Sequence, residues 1–204
     1  MVRKTHLSKL FAIVLITVIS AFSLYSCKGS KKQQAVSGLS DILRGNYESE
    51  ISFFVPGTDA EYNGKAKIIR DGTITRLDIL SPEPYSGMSI EYDVKGLPSS
   101  VAVHFSGIDI ELPAKALSRV NSVAVLFADD FTSALGKIHP ESITEYSLPD
   151  ETSGYCVTLP YSDAEITIYF SDESYIPYSL EYRGKEINAD IVFDSFKPEI
   201  TSVE

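Results

Sequence analysis

Apolar and polar side chains alternate along most of this chain with a period of two, in short runs closed by tight turns. Strands written this way bury one face and wet the other, and two-residue turns leave no room for the long crossover that parallel neighbours require. The chain is therefore confined to antiparallel meanders. In the first run Tyr47, Ser49, Ile51 and Phe53 alternate with Glu48, Glu50 and Ser52, and Pro56-Gly57 ends it. Tyr62 to Arg70 and Thr73 to Leu80 flank Asp71-Gly72, a pair suited to a type I′ turn. Met88, Ile90, Tyr92 and Val94 continue the pattern. Val101, Val103 and Phe105 follow, then Ile108, Ile110 and Leu112, the last two runs joined at Ser106-Gly107. Ser142 to Leu148, Gly154 to Leu159, Ala164 to Phe170, Tyr175 to Arg183 and Glu186 to Phe196 complete it, with Arg183-Gly184 as a further tight turn.

One stretch breaks the period. From Leu112 to Gly136, apolar residues return at Ala116/Leu117, Val120, Val123/Ala124, Phe127, Phe131 and Ala134/Leu135, the three-four spacing of a helix face. Pro113 suits a first turn, Gly136 a C-cap, and Asp129-Asp130 is a candidate break. Leu39, Ile42 and Leu43 mark a shorter helix ahead of the first strand, capped by Ser37 or Ser40 and closed by Gly45. A sheet of about ten to eleven one-sided strands is too wide to stay flat. The expected fold is thus α+β and mainly antiparallel β: a curved open half-barrel covered by the helical insert at 112–136, in a single domain over 39–204.

The N-terminus has a different character. Arg3, Lys4 and Lys9 flank and precede an apolar run from Leu10 to Leu24, in the order of a secretory signal. At about 15 residues the run is short of the roughly 20 that span a bilayer. It ends in Leu24-Tyr25-Ser26-Cys27, which resembles the lipobox of bacterial lipoproteins. There a cysteine thiol accepts diacylglycerol, a small residue before it enters the peptidase cleft, and a leucine fills an apolar subsite. Tyr25 departs from the usual small residue. The resemblance implies a signal peptide over 1–26, lipid attachment at Cys27 and a flexible tether over 27–38. The domain would be held to the cell envelope, on the outer face of the cytoplasmic membrane or on an outer membrane. Two acyl chains suffice for stable anchoring, since each buried methylene contributes about 0.8 kcal/mol.

Composition closes off other classes. The formal charge of −10 becomes −13 once the leader's three basic residues are removed, leaving 15 basic against 28 acidic side chains, so nucleic acid is excluded as a partner. With Cys27 lipidated, Cys156 has no intramolecular partner, and in Gly154 to Leu159 it reads as a small buried hydrophobe. Neither a phosphate loop nor a G-x-S-x-G, S-x-x-K or H-E-x-x-H motif occurs, and nothing calls for a cofactor. His104, between Val103 and Phe105, belongs to the polar side of its strand, and His139 sits before Pro140 in a turn. The pairs Glu48/Glu50, Glu91/Asp93 and Asp109/Glu111 have the spacing of a solvated strand face. Asp129-Asp130, Asp150-Glu151 and Asp172-Glu173 fall at a helix break or in turns, without calcium-loop spacing. Catalysis and metal binding therefore have no candidate residues.

What remains is the space between sheet and helix. Its candidate lining is Ile51, Phe53, Ile90, Tyr92, Val103, Phe105 and Ile110 from strands, with Val123, Phe127 and Phe131 from the cover. Tyrosine is abundant at 12 and tryptophan absent. Tyr47, Tyr62, Tyr92, Tyr155, Tyr178 and Tyr182 fall at inward positions, as core filler or as the lining for an amphiphilic ligand.

A lipoprotein leader, a short helix, a run of strands, a helical insert and a second run of strands together resemble the LolA/LolB and LppX/LprG-like superfamily of bacterial lipid and lipoprotein carriers. The resemblance spans about Leu39 to Pro198. Its local marks are Gly45-Asn46-Tyr47, the run Arg76 to Pro82, Ile176-Pro177-Tyr178 and the run Ile191 to Phe196. It implies an open antiparallel barrel whose helical lid encloses a hydrophobic cavity for acyl chains, in a non-enzymatic, anchored protein. The alternative is a structural or protein-interaction lipoprotein of the cell surface with a fully packed core.

Overall fold

The structure, a computed structural model, describes residues 31–56, 61–93, 100–113, 129–149, 151–161, 164–185 and 188–199. The expected period-two runs form one antiparallel sheet of 11 strands. The first six strands are β1 (Tyr47–Val55), β2 (Tyr62–Asp71), β3 (Ile74–Ser81), β4 (Ser89–Asp93), β5 (Ser100–Phe105) and β6 (Ile108–Pro113). After the insert come β7 (Ile143–Ser147), β8 (Ser153–Tyr161), β9 (Ala164–Ser171), β10 (Pro177–Gly184) and β11 (Asn188–Pro198). The order is β6-β5-β4-β3-β2-β1-β11-β10-β9-β8-β7. Two meanders are thus joined where the first strand pairs with the last, and β6 and β7 stay apart as edges, so the sheet is open.

Register carries the alternation across the sheet. Ile68, Leu77, Ile90 and Val103 are successive partners from β2 to β5, and Ile191, Leu180, Ile168, Val157 and Ile143 from β11 to β7; all nine are buried. The other face carries ion pairs such as Lys67–Glu48 at 3.0 Å and Arg76–Asp78 at 3.1 Å.

Three local expectations shift. Helix α1 covers 31–44, so 31–38 is helical where a tether is expected. Ala35, Val36, Leu39 and Leu43 form its buried stripe, and packing that stripe on the sheet outweighs the polar run Lys31 to Gln34. Leu112 and Pro113 close β6 instead of opening a helix; 114–128 lie outside the described residues, and helix α2 (Asp129–Leu135) is the described end of the insert. In the β2–β3 hairpin Asp71 pairs with Ile74, making the loop Gly72-Thr73 with positive φ at Gly72 (59°) only, so it is not type I′. Ser106 (52°) and Gly107 (77°) both have positive φ, as that turn type requires. In the β10–β11 connection Arg183 pairs with Asn188, wider than a two-residue turn at Arg183-Gly184.

The helices are fixed to each other and to the β7 half of the sheet. Ser40 Oγ donates to the Thr132 carbonyl oxygen at 2.7 Å, and Arg44 Nε to Thr132 Oγ1 at 3.2 Å. Lys32 Nζ donates to the Ile143 carbonyl oxygen at 2.8 Å. Gly38 lies under the Tyr175 ring, where a Cβ would come within 2.2 Å of Cδ2.

Candidate functional site

The buried face beneath α1 and α2 is filled by side chains. Of the expected lining, Ile51, Ile90, Tyr92, Val103 and Phe131 are buried in one cluster with Leu39, Leu43 and Leu135. Phe53 is half-buried against the same cluster and lies across Gly64, where a Cβ would meet its ring at 2.4 Å and the Ser81 carbonyl oxygen at 2.6 Å. Val123 and Phe127 lie outside the described residues, as does Cys27.

Phe105 and Ile110 are on the expected face but not in the core. Register places Ile110 opposite Val103 and Phe105 opposite Ile108, yet Phe105, Ile108 and Ile110 are 39%, 60% and 48% exposed. Ile108 and Ile110 sit on the edge strand β6 and Phe105 at the adjoining end of β5, where the sheet outruns its described cover. The inner face therefore ends in an apolar margin. Tyr62 (40%) and Tyr178 (36%) are likewise exposed, near strand ends, whereas Tyr47 and Tyr92 are buried as expected.

A polar row crosses the inner face. Tyr47, Arg70, Thr75 and Tyr92 are direct cross-strand partners from β1 to β4, and all four are buried. Burial pushes the Tyr47 and Tyr92 phenols well up, and the Arg70 cation counters part of that in both. Arg70 was not among the expected site residues, although its parity with Ala66 and Ile68 carries it inward.

A second opening lies where the two halves meet. β10 pairs with β11 only as far as Ser179–Val192, while β11 runs on to Pro198 against β1 alone. The β1–β11 register shifts at Glu50/Ile51, so Asp194 is an extra residue between Phe193 and Ser195. The resulting slot, between the end of β11 and the β9–β10 connection, has a volume of about 550 Å³. Phe193, Phe196, Leu148 and Ile176 supply apolar walls, and Asp172, Glu173 and Asp194 are among its polar ones. Phe193 and Phe196 oppose the inward residues Ile51 and Ser49, whereas Asp194 accepts from the outer-face Ser52 hydroxyl at 2.6 Å. The slot thus has walls from both faces of the sheet.

Neither His104 nor Cys156 gains a catalytic setting. His104 is on the outer face, with Nδ1 2.8 Å from Asp109 Oδ1 and Nε2 3.9 Å from Glu91 Oε2; the Asp109 hydrogen bond raises its imidazole above the ordinary value. Cys156, expected as a buried hydrophobe, is only half-buried on β8, far along the sheet from His104 on β5, and the burial it has pushes its thiol up, toward the unreactive form. Among the described residues no group of three or more His, Cys, Asp or Glu side chains could hold a metal ion.

No protein-family model and no curated protein sequence matches this chain. Among solved structures it is similar to an uncharacterized conserved protein from Thermus thermophilus, with a TM-score of 0.50 and 11% identity over 81% of this chain and 86% of that one. It is also similar to a LolA superfamily protein from Nitrosomonas europaea (TM-score 0.39, 11% identity, 81% and 92% covered) and to LprF from Mycobacterium bovis (0.41, 10%, 84% and 95%). At such identities the likeness concerns the fold alone.

Proposed function

We propose that this chain is a membrane-anchored, non-enzymatic lipoprotein of the cell envelope that binds a lipid or acyl chain at the apolar inner face of its open sheet, in lipid or lipoprotein transport. The observation that carries the reading is the slot beside β11. It presents inner-face phenylalanines to a space of about 550 Å³, inside the roughly 300–1,000 Å³ range of small-ligand sites. Anchoring rests on Cys27 and the leader before it. The chain from Lys28 onward contains every described element and is the form to titrate. Titrating it with an uncharged pyrene-labelled acyl ester tests the reading: saturable uptake at micromolar concentration is expected, and a flat titration sinks it. Changing Cys27→Ala in the full chain is expected to release it from membranes or leave an unprocessed precursor; normal processing with unchanged membrane retention contradicts the anchor.

A specific observation also supports a protein-interaction role. The inner face is packed beneath both helices, and the exposed Phe105, Ile108 and Ile110 stand on a sheet edge, the usual place for strand-to-strand contact between chains. Concentration-dependent association that depends on these three side chains, without acyl uptake, would favour that role.

A further inference from the structure

We infer that the slot between β11 and the β9–β10 connection takes an amphiphile whose polar end is uncharged or cationic, and that it selects against acyl chains ending in a carboxylate or phosphate. The inference rests on the acyl-binding reading and adds the place and the headgroup class.

The place follows from the register. Beyond Val192, β11 has β1 on one side and no described strand on the other, since the chain of β9–β10 turns away through Ser171 to Ile176. A chain lying in that gap touches Phe193, Phe196, Leu148 and Ile176. Phe193 and Leu148 belong to the buried set, and Phe196 stacks on the buried Tyr47 ring with centroids 4.7 Å apart, so this wall is held rigidly by the core. A rigid apolar wall with an open mouth suits a flexible acyl chain, which loses water without requiring the core to reopen.

The headgroup class follows from the rim. Asp172, Glu173 and Asp194 line the slot together with serine hydroxyls from Ser153, Ser171 and Ser195, and among the described residues no lysine or arginine lines it. Lys65 reaches Asp194 from outside at 3.5 Å, but that pair is solvent-exposed and screened, and it leaves Asp172 and Glu173 in place. Ser171 Oγ already accepts from the Glu173 and Ser174 amides, which leaves its O–H to donate to a hydroxyl or ester oxygen. The negative field is visible on a neighbour: after burial, the Asp172 carboxylate is the next cause that pushes the Tyr155 phenol up. An anionic headgroup in this mouth meets like charges at short range and within a strongly acidic body, whereas an ammonium or hydroxyl headgroup does not.

The test is displacement of the uncharged pyrene ester from the leaderless chain by three competitors of equal chain length: a fatty alcohol, an alkylammonium and a fatty acid. The alcohol and ammonium are expected to displace the probe at least about tenfold more tightly than the carboxylate at low salt, with the gap narrowing as salt is raised. The double change Asp172→Asn with Glu173→Gln is expected to close the gap, and Ser195→Trp, which fills the mouth, to weaken all three. Equal affinity of acid and alcohol, or a gap unaltered by the double change, overturns the inference while leaving acyl binding intact. Failure of the probe itself to bind overturns the acyl-binding reading and this inference with it.

Discussion

Two places where the described inner face reaches solvent differ in shape. Beside β11 it is walled: Phe193 and Phe196 look into a slot whose far side is the β9–β10 connection, with carboxylates at the mouth. At β6 it is an edge: Ile108 and Ile110 lie on the outermost described strand, with Phe105 beside Ile108 at the end of β5, while Asp109 and Glu111 face the opposite way. The first encloses a guest on several sides and suits a small molecule; the second offers one surface and an open row of backbone groups, which suits another polypeptide. Apolar exposure alone does not separate these roles; what does is how far the neighbouring strand follows.

Both openings share one packed floor, and removing it should have the largest effect. Phe131 is fully buried between α2 and the sheet, so Phe131→Ala is expected to cost about 3–5 kcal/mol in urea unfolding and to loosen slot and margin together. A cost under about 1 kcal/mol would mean that α2 does not hold the sheet. Next is Gly38→Val. Helix propensity slightly favours the change, but the new side chain strikes the Tyr175 ring, so a loss of about 1–3 kcal/mol and weaker probe uptake are expected, because Tyr175 adjoins the slot wall at Ile176. Stability gained with unaltered uptake would dissociate α1 from the slot.

How far these regions were legible in the sequence has a physical basis. Period-two alternation needs only local reading, so all eleven strands and both inner-face rows could be anticipated. Arg70 was legible too by parity with Ala66 and Ile68, but a cation at a strand end reads as a solvated terminus. Helix α1 was underestimated because Lys31 to Gln34 dilute a stripe whose anchors, Ala35, Val36, Leu39 and Leu43, show their worth only against the sheet. The slot was not legible at all. It depends on an extra residue at Asp194 and on β10 ceasing to pair at Val192, both settled by long-range register. The exposure of Phe105 and Ile110 has the same origin, since alternation gives the face of a residue and not whether anything covers it.

Smaller effects sharpen the comparison at the flat margin. Ile108→Lys with Ile110→Lys is expected to abolish concentration-dependent association in sedimentation while altering stability by no more than about 0.5 kcal/mol each and leaving probe uptake unchanged. Loss of uptake would place the ligand at the margin and reverse the assignment of the two openings.

The smallest effect concerns His104, whose folded value is raised by the Asp109 hydrogen bond above the ordinary 6.5. A raised folded value means that the protonated imidazole stabilises the hairpin fully below about pH 6.5, and that this contribution is lost as pH rises through the folded value. His104→Gln should therefore lower the urea midpoint slightly at about pH 5.5 and not at about pH 8.5. An equal change at both would show that Asp109 does not act on the charge.

An open sheet that carries an acyl guest beside β11 should retain some of it through purification. Native mass spectrometry of the leaderless chain, purified from cells without detergent, addresses it most directly. A fraction of molecules is expected to carry one extra mass in the range of a single lipid with an uncharged or cationic headgroup, and to lose it in Ser195→Trp. A bare polypeptide mass throughout, unchanged after incubation with the acyl ester, would contradict it.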